Sequence, residues 1–277
     1  MVPMKVREMQ RRLSRRAEQE PAHRFGDLYN LLYDMTWLRE AHRGVSQNAG
    51  KMTAGCDGIT MTLFDEHLDA NLATLREELR AGTFAPRPVR RVLIPKGNGR
   101  RRALGIPSIR DRIVQEALRM LLEPIFEADF SPRSYGFRPG RCTMDAVAYV
   151  AATATGHQRY YWIIEGDIAS YFDTINHRKL LKLVAKRIRD KHVLTLIWKF
   201  LKAGVMEGKL FRDTRTGTPQ GGIISPLLAN IYLHPLDCYL TRYTALSEYQ
   251  KLRRRRHGQA NFLYARYADD VRHITWR

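Results

Sequence analysis

Apolar residues recur along this chain at helical spacing in some stretches and crowd into short aromatic or β-branched runs in others. Residues 5–20 and 24–44 read as helices, the first polar and the second amphipathic. A Gly/Thr-rich break follows at Thr53-Ala54-Gly55-Cys56-Asp57-Gly58, and then a helix over about 63–80. Asp111 is placed to cap a helix whose apolar positions Ile113, Val114, Ala117, Leu118, Leu121, Leu122 and Ile125 keep one spacing. Further helices are expected near 142–154, 177–188, 190–203 and 223–240. Strand signals stand at Arg90-Arg91-Val92-Leu93-Ile94-Pro95, Tyr160-Tyr161-Trp162-Ile163-Ile164 and 262–267. A hairpin is expected around Gly208, a hairpin loop at Lys96-Gly97-Asn98-Gly99-Arg100, and a basic loop from Lys251 to His257. This mixed order of strands and helices implies an α+β fold.

At 277 residues the chain has room for one large domain or two smaller ones, and 44% hydrophobic residues suffice for a proper core. Charge changes the picture more. The 47 Lys and Arg outnumber 28 Asp and Glu, for a net +19, which favours a polyanionic partner. Nucleic acid is the first candidate and an anionic membrane the second. No apolar run approaches the ~18 residues of a membrane-spanning helix. Cys56, Cys142 and Cys238 lie far apart with no C-x-x-C pair, which speaks against a disulfide scaffold or a zinc site and fits a reducing compartment. The N-terminus is basic without the apolar core of a secretory signal, and Glu8, Glu18 and Glu20 count against an organelle transit peptide.

Three carboxylates stand at the ends of apolar strands. Asp167 closes one, and Asp269-Asp270 close another. Alone, an Asp-Asp pair reads as a solvated turn and an Asp after a strand as a cap. Two such strands can be neighbours in a sheet, and together these carboxylates are hard oxygen ligands suited to Mg²⁺. In Asp167-Ile168-Ala169-Ser170-Tyr171-Phe172-Asp173 the backbone turns toward a helix and offers N–H groups from residues 168–172 to a triphosphate. Gly217-Thr218-Pro219-Gln220-Gly221-Gly222 lets backbone pass close to a ligand, and also reads as a plain loop before a helix. Lys96 with Arg100, Arg101 and Arg102 makes a cationic loop suited to phosphates. Arg253 to Arg256 fits either an RNA-backbone contact or a solvated insertion.

In this order the motifs resemble those of group II intron-encoded reverse transcriptases, bacterial and organellar, which also act as maturases. The likeness runs from about residue 25 to 270 and rests on Thr53–Gly58 before Ile59-Thr60, Ile94-Pro95-Lys96 through Arg102 to Pro107, and Asp111-Arg112-Ile113-Val114-Gln115. It continues through Ser134-Tyr135-Gly136-Phe137-Arg138-Pro139, Asp167–Asp173, Gly217–Gly222, Ser225–Leu233 and Tyr267-Ala268-Asp269-Asp270. The resemblance implies a right-hand polymerase: a basic segment at 1–24, an N-terminal extension and fingers at 25–155, and an antiparallel palm at 156–277. It makes Asp167, Asp269 and Asp270 the catalytic ligands of two Mg²⁺, with Ile168 in the same metal shell. Lys96, Arg102, Ile168, Ala169, Ser170, Tyr171, Phe172 and Gln220 would line the deoxynucleoside triphosphate, Phe172 as the gate against a ribose 2′-OH. RNA would lie against Arg90, Arg91, Arg100, Arg101 and Arg138. The implied partners are template and intron RNA and a DNA primer or target, in the bacterial cytoplasm before an organelle. Members of the family continue into the rest of the palm and a helical thumb, so a fragment lacking the thumb is expected here, from a truncated gene or a shifted reading frame. The alternatives are a truncated RNA-binding maturase remnant that no longer polymerises and a related bacterial defence or CRISPR-associated reverse transcriptase.

Overall fold

The computed structural model describes residues 4–95, 101–155, 162–208, 210–212, 216–218 and 221–275. In chain order the elements are α1 (Met4–Gln19), α2 (Tyr29–Leu32), α3 (Met35–Ser46), a 3₁₀ turn (Ala49–Met52), α4 (Met61–Asp65), α5 (Leu68–Arg80), β1 (Val89–Pro95), β2 (Arg101–Ile106), α6 (Ile109–Phe126) and α7 (Thr143–Thr155). There follow β3 (Trp162–Gly166), α8 (Tyr171–Thr174), α9 (His177–Val184), α10 (Lys191–Lys202), β4 (Val205–Glu207), β5 (Leu210–Arg212), α11 (Ser225–Thr244), α12 (Glu248–Arg256), β6 (Phe262–Tyr267) and β7 (Asp270–Thr275). The α+β expectation holds. No helix among the described residues is long and apolar enough to cross a membrane. The three cysteines form no disulfide and are exposed.

Several elements differ from the pattern-based reading, each for a local reason. The helix expected over 24–44 is two, because Asp34 accepts the Thr36 and Trp37 N–H groups at 2.8 and 3.2 Å and starts α3 afresh. Likewise the helix expected over 63–80 breaks between α4 and α5, with Thr60 capping the first. Ser108, not Asp111, caps α6: its hydroxyl accepts the Asp111 N–H at 3.2 Å. The buried Asp111 carboxylate instead accepts the Arg87 N–H at 3.0 Å, and burial pushes its pKa up to about 6. The run expected as a basic loop is the helix α12, started by a capping box between Ser247 and Gln250. The expected hairpin loop at 96–100 and the strand start at Tyr160-Tyr161 lie outside the described residues.

The chain forms two compact units, one of Met1–Asp129 with Phe172–Leu228 and one of Phe130–Tyr171 with Ala229–Arg277. These boundaries cut the chain differently from the linear partition at 24/25 and 155/156. The first unit is built around α6, whose apolar residues from Ile113 to Ile125 are fully buried. A helix that is apolar on most sides needs cover all round. Here α1 and α3 supply it, with Trp37 Nε1–H and Gln10 Nε2–H donating to the Ala117 and Met120 carbonyls at 3.0 Å each. A four-stranded sheet in the order β2-β1-β4-β5 completes this unit.

The second unit holds a three-stranded antiparallel sheet in the order β3-β7-β6. Side chains alternate across β6 as strand geometry requires. Tyr264 packs with Leu240 of α11 and Val271, while Ala265 packs on the other face with Tyr135 and Ala146 of α7. Val271, on the strand that follows the aspartate pair, is buried in the same cluster as Tyr264.

Candidate active site

The sheet of the second unit gathers the three expected metal ligands at one end. β3 and β7 pair from Trp162↔Thr275 to Gly166↔Val271, so Asp167 and Asp270 are the residues next beyond the last pair on each strand. β6 and β7 form a tight hairpin whose last pair is Tyr267↔Asp270, so Ala268 and Asp269 alone make the turn. Between β3 and β7, Arg272 and Glu165 face each other and form an ion pair at 3.1 Å. The side chains themselves are not clustered: among the described residues no three carboxylate, imidazole or thiol groups converge to hold a metal ion. Asp167 and Asp270 are exposed and Asp269 is half-exposed.

After Asp167 the chain turns through Ile168, Ala169 and Ser170, with Ser170 in the left-handed region at φ +49°, and enters the four-residue α8. Tyr171 is buried within the second unit, its hydroxyl donating to the Ala229 carbonyl at 2.6 Å. Burial pushes the Tyr171 phenol well above its usual range. It is therefore a structural anchor for the segment after Asp167 rather than a group open to a ligand.

Within the first unit the glycine loop touches both the Phe172 segment and β2. Thr218 N–H donates to the Phe172 carbonyl and Gly217 N–H to the Ile175 carbonyl, both at 2.8 Å. At the other end of the loop Gly221 has φ +109°, and a Cβ there would lie 2.6 Å from the Gly105 carbonyl of β2. Only glycine permits both that backbone conformation and that approach. The loop thus joins the Phe172 segment to the strand that carries Arg101 and Arg102. Lys96, Arg100 and Gln220 lie outside the described residues, as does the side chain of Arg102.

Among the arginines assigned to RNA, Arg138 is the clear correction. It is buried, its Nη1 donating to the Ser131 and Ser134 carbonyls at 2.6 and 2.7 Å, and its guanidinium lies 5.4 Å from the Phe130 ring centre. Its cation holds a turn together. Arg90 and Arg91 are half-buried, the first donating to the Ala54 carbonyl at 3.0 Å and the second 3.5 Å from Glu207. Arg101 is exposed.

Sequence reasoning passed over the residues behind the aspartate turn. Arg266, inside the aromatic strand β6, is fully buried against an equally buried Asp237 of α11. Gly136 lies against the turn so closely that a Cβ would come within 2.3 Å of the Ala268 nitrogen. Asn230 Nδ2 donates to the Gly136 carbonyl at 2.9 Å. The available signal was a cation inside an apolar strand, which needs a buried counter-charge somewhere in the chain.

The family model of reverse transcriptase (RNA-dependent DNA polymerase) matches residues 94–275, a stretch that holds every one of these elements from the end of β1 to β7. The chain belongs to the reverse transcriptase family. Among curated relatives it is 48% identical to Protein YkfC of Escherichia coli (strain K12), over 86% of this chain and 63% of that protein. It is 39% identical to the group II intron-encoded protein LtrA of Lactococcus lactis subsp. cremoris, over 83% of this chain and 37% of the relative. This reverse transcriptase chain therefore spans only part of either relative's length. Among solved structures, a chain of a Cas6-RT-Cas1–Cas2 complex superposes with a TM-score of 0.55 at 24% identity, covering 89% of this chain and 24% of that one, which is a likeness of fold.

Proposed function

We propose that this chain is the fingers and palm portion of an RNA-directed DNA polymerase of the group II intron type. The supporting observation is that Asp167 and Asp270 lie directly beyond the last β3–β7 pair, with Asp269 in the adjoining turn. The donor set is all carboxylate oxygen, which suits Mg²⁺, and Asp167, Asp269 and Asp270 would hold it. When bound, such ions would supply the positive charge that stabilises phosphoryl transfer. In the reaction a primer 3′-hydroxyl attacks the α-phosphate of a deoxynucleoside triphosphate and pyrophosphate leaves. Phe172 excludes a ribose 2′-OH by bulk, with the Gly217–Gly222 loop holding its backbone in place, while Lys96, Arg102 and Gln220 bind the triphosphate. Primer extension on an RNA template with Mg²⁺ tests this reading. Asp269→Ala is expected to abolish incorporation, and equal incorporation by both proteins would remove that residue from the site.

The net charge of +19 favours a second reading, RNA binding without nucleotide incorporation, as in a maturase. RNA affinity that falls steeply with salt while primer extension stays at background would select it. Absence of RNA affinity at moderate salt would discard it.

A further inference from the structure

Arg266 offers five N–H donors, and every one is placed. Nε donates to Asp237 Oδ1 at 2.9 Å and Nη2 to Asp237 Oδ2 at 2.6 Å, a bidentate pair with both side chains at 0% exposure. The second Nη2 proton goes to Ser134 Oγ at 2.7 Å. Nη1 donates to Asn230 Oδ1 at 3.0 Å and to the Ala268 carbonyl at 2.7 Å. The last of these reaches the turn residue that precedes Asp269. Ala268 has φ +57°, a conformation a non-glycine residue holds only when its surroundings impose it.

Three further contacts reinforce the same turn. Arg266 N–H donates to the Arg133 carbonyl at 2.9 Å and Tyr135 N–H to the Arg266 carbonyl at 2.8 Å, a parallel bridge between residues 134 and 266. That bridge delivers Gly136 to the Ala268 nitrogen, and Asn230 grips both Gly136 and Arg266. Asp237 neutralises the guanidinium and no donor is left over, so Arg266 acts on Asp269 through the backbone rather than as a counter-charge to its carboxylate.

We propose that Arg266, held by Asp237, Asn230 and Ser134, is a positioning residue that fixes the strained Ala268-Asp269 turn and so sets where the Asp269 carboxylate stands. This rests on the reading of Asp269 as a metal ligand for its consequence, though not for its geometry. A buried pair replaced as a unit by apolar residues often leaves a fold intact. The test therefore compares the full chain with Arg266→Met/Asp237→Leu, after confirming an unchanged far-ultraviolet spectrum and melting transition. Hydrogen exchange reads the turn directly. The amides of residues 268–270 are expected to exchange about tenfold faster in the double variant while those of α6 are unchanged. Unaltered exchange at the turn overturns the proposal whatever the chemistry of the site.

Mn²⁺ binding without nucleic acid, together with primer extension, reads the consequence. Affinity for Mn²⁺ and the kcat of extension are each expected to fall about tenfold, with KM for the deoxynucleotide unchanged because the Phe172 loop is untouched. A KM rise at constant kcat would overturn the positioning role. If the turn loosens while wild-type protein shows neither Asp269-dependent Mn²⁺ binding nor extension, the polymerase reading fails and the positioning claim stands. Arg266→Lys, with three donors against five, is expected to restore less than half of the kcat if the fork geometry matters; full restoration would show that charge alone suffices and overturn the proposal.

Discussion

β6 and β3 flank the same central strand, and each leads to an aspartate of the candidate metal site, yet they are anchored in opposite ways. β6 buries Tyr264, Ala265 and Arg266, is covered by α11 on one face and α7 on the other, and has its outer edge bridged by Ser134. β3 is exposed along its whole length, with Trp162 and Ile164 each at 59% exposure, and it has no outer partner strand among the described residues. One carboxylate pair therefore stands on a rigid mount and the third on a strand held to β7 by ladder hydrogen bonds and one surface ion pair. Within one small sheet, the precision of a site is set by what covers a strand rather than by the strand itself.

The largest departure should come from breaking the mount of β6. Arg266→Met alone leaves Asp237 buried and unpaired and is expected to cost about 3–5 kcal/mol in urea unfolding, most of it recovered when Asp237→Leu is added. Gly136→Ala forces a methyl group onto the Ala268 backbone and should cost about 1–3 kcal/mol, with a loss of primer extension larger than the loss of stability explains. Glu165→Ala, on the β3 side, removes an exposed ion pair and is expected to cost under about 1 kcal/mol, less still in high salt. Ile164→Thr should change unfolding by no more than about 0.5 kcal/mol, while light scattering reports less self-association as exposed apolar strand is removed. If the β3 substitutions destabilise as much as those behind β6, the contrast between the two strands is wrong.

The two halves of the site were unequally legible before the fold was known. The strand ending at Asp269-Asp270 and the strand ending at Asp167 are both visible as apolar runs, but the neighbouring strands that the sequence suggests are in fact separated by β7. The helix α6 is visible because seven apolar residues keep one period. By contrast, the split of the 24–44 helix depends on whether Asp34 turns its carboxylate to two backbone N–H groups, and the basic run 253–256 became helical through a cap at Ser247. Both are choices of a single side chain among several local partners. Arg138 misled because an arginine read by residue type alone looks solvent-facing until the carbonyls of Ser131 and Ser134 close around it.

Sequence by itself determined the mixed α+β class, the order of the motifs and the family, since each is carried by residue type and near-neighbour spacing. Only the tertiary structure decided how the Ala268-Asp269 turn is held. The partners of Arg266 lie 29, 36 and 132 residues away along the chain, at Asp237, Asn230 and Ser134. Periodicity reports which face of an element is buried, but a buried charge is satisfied by whichever groups the folded chain brings within about 3 Å of it.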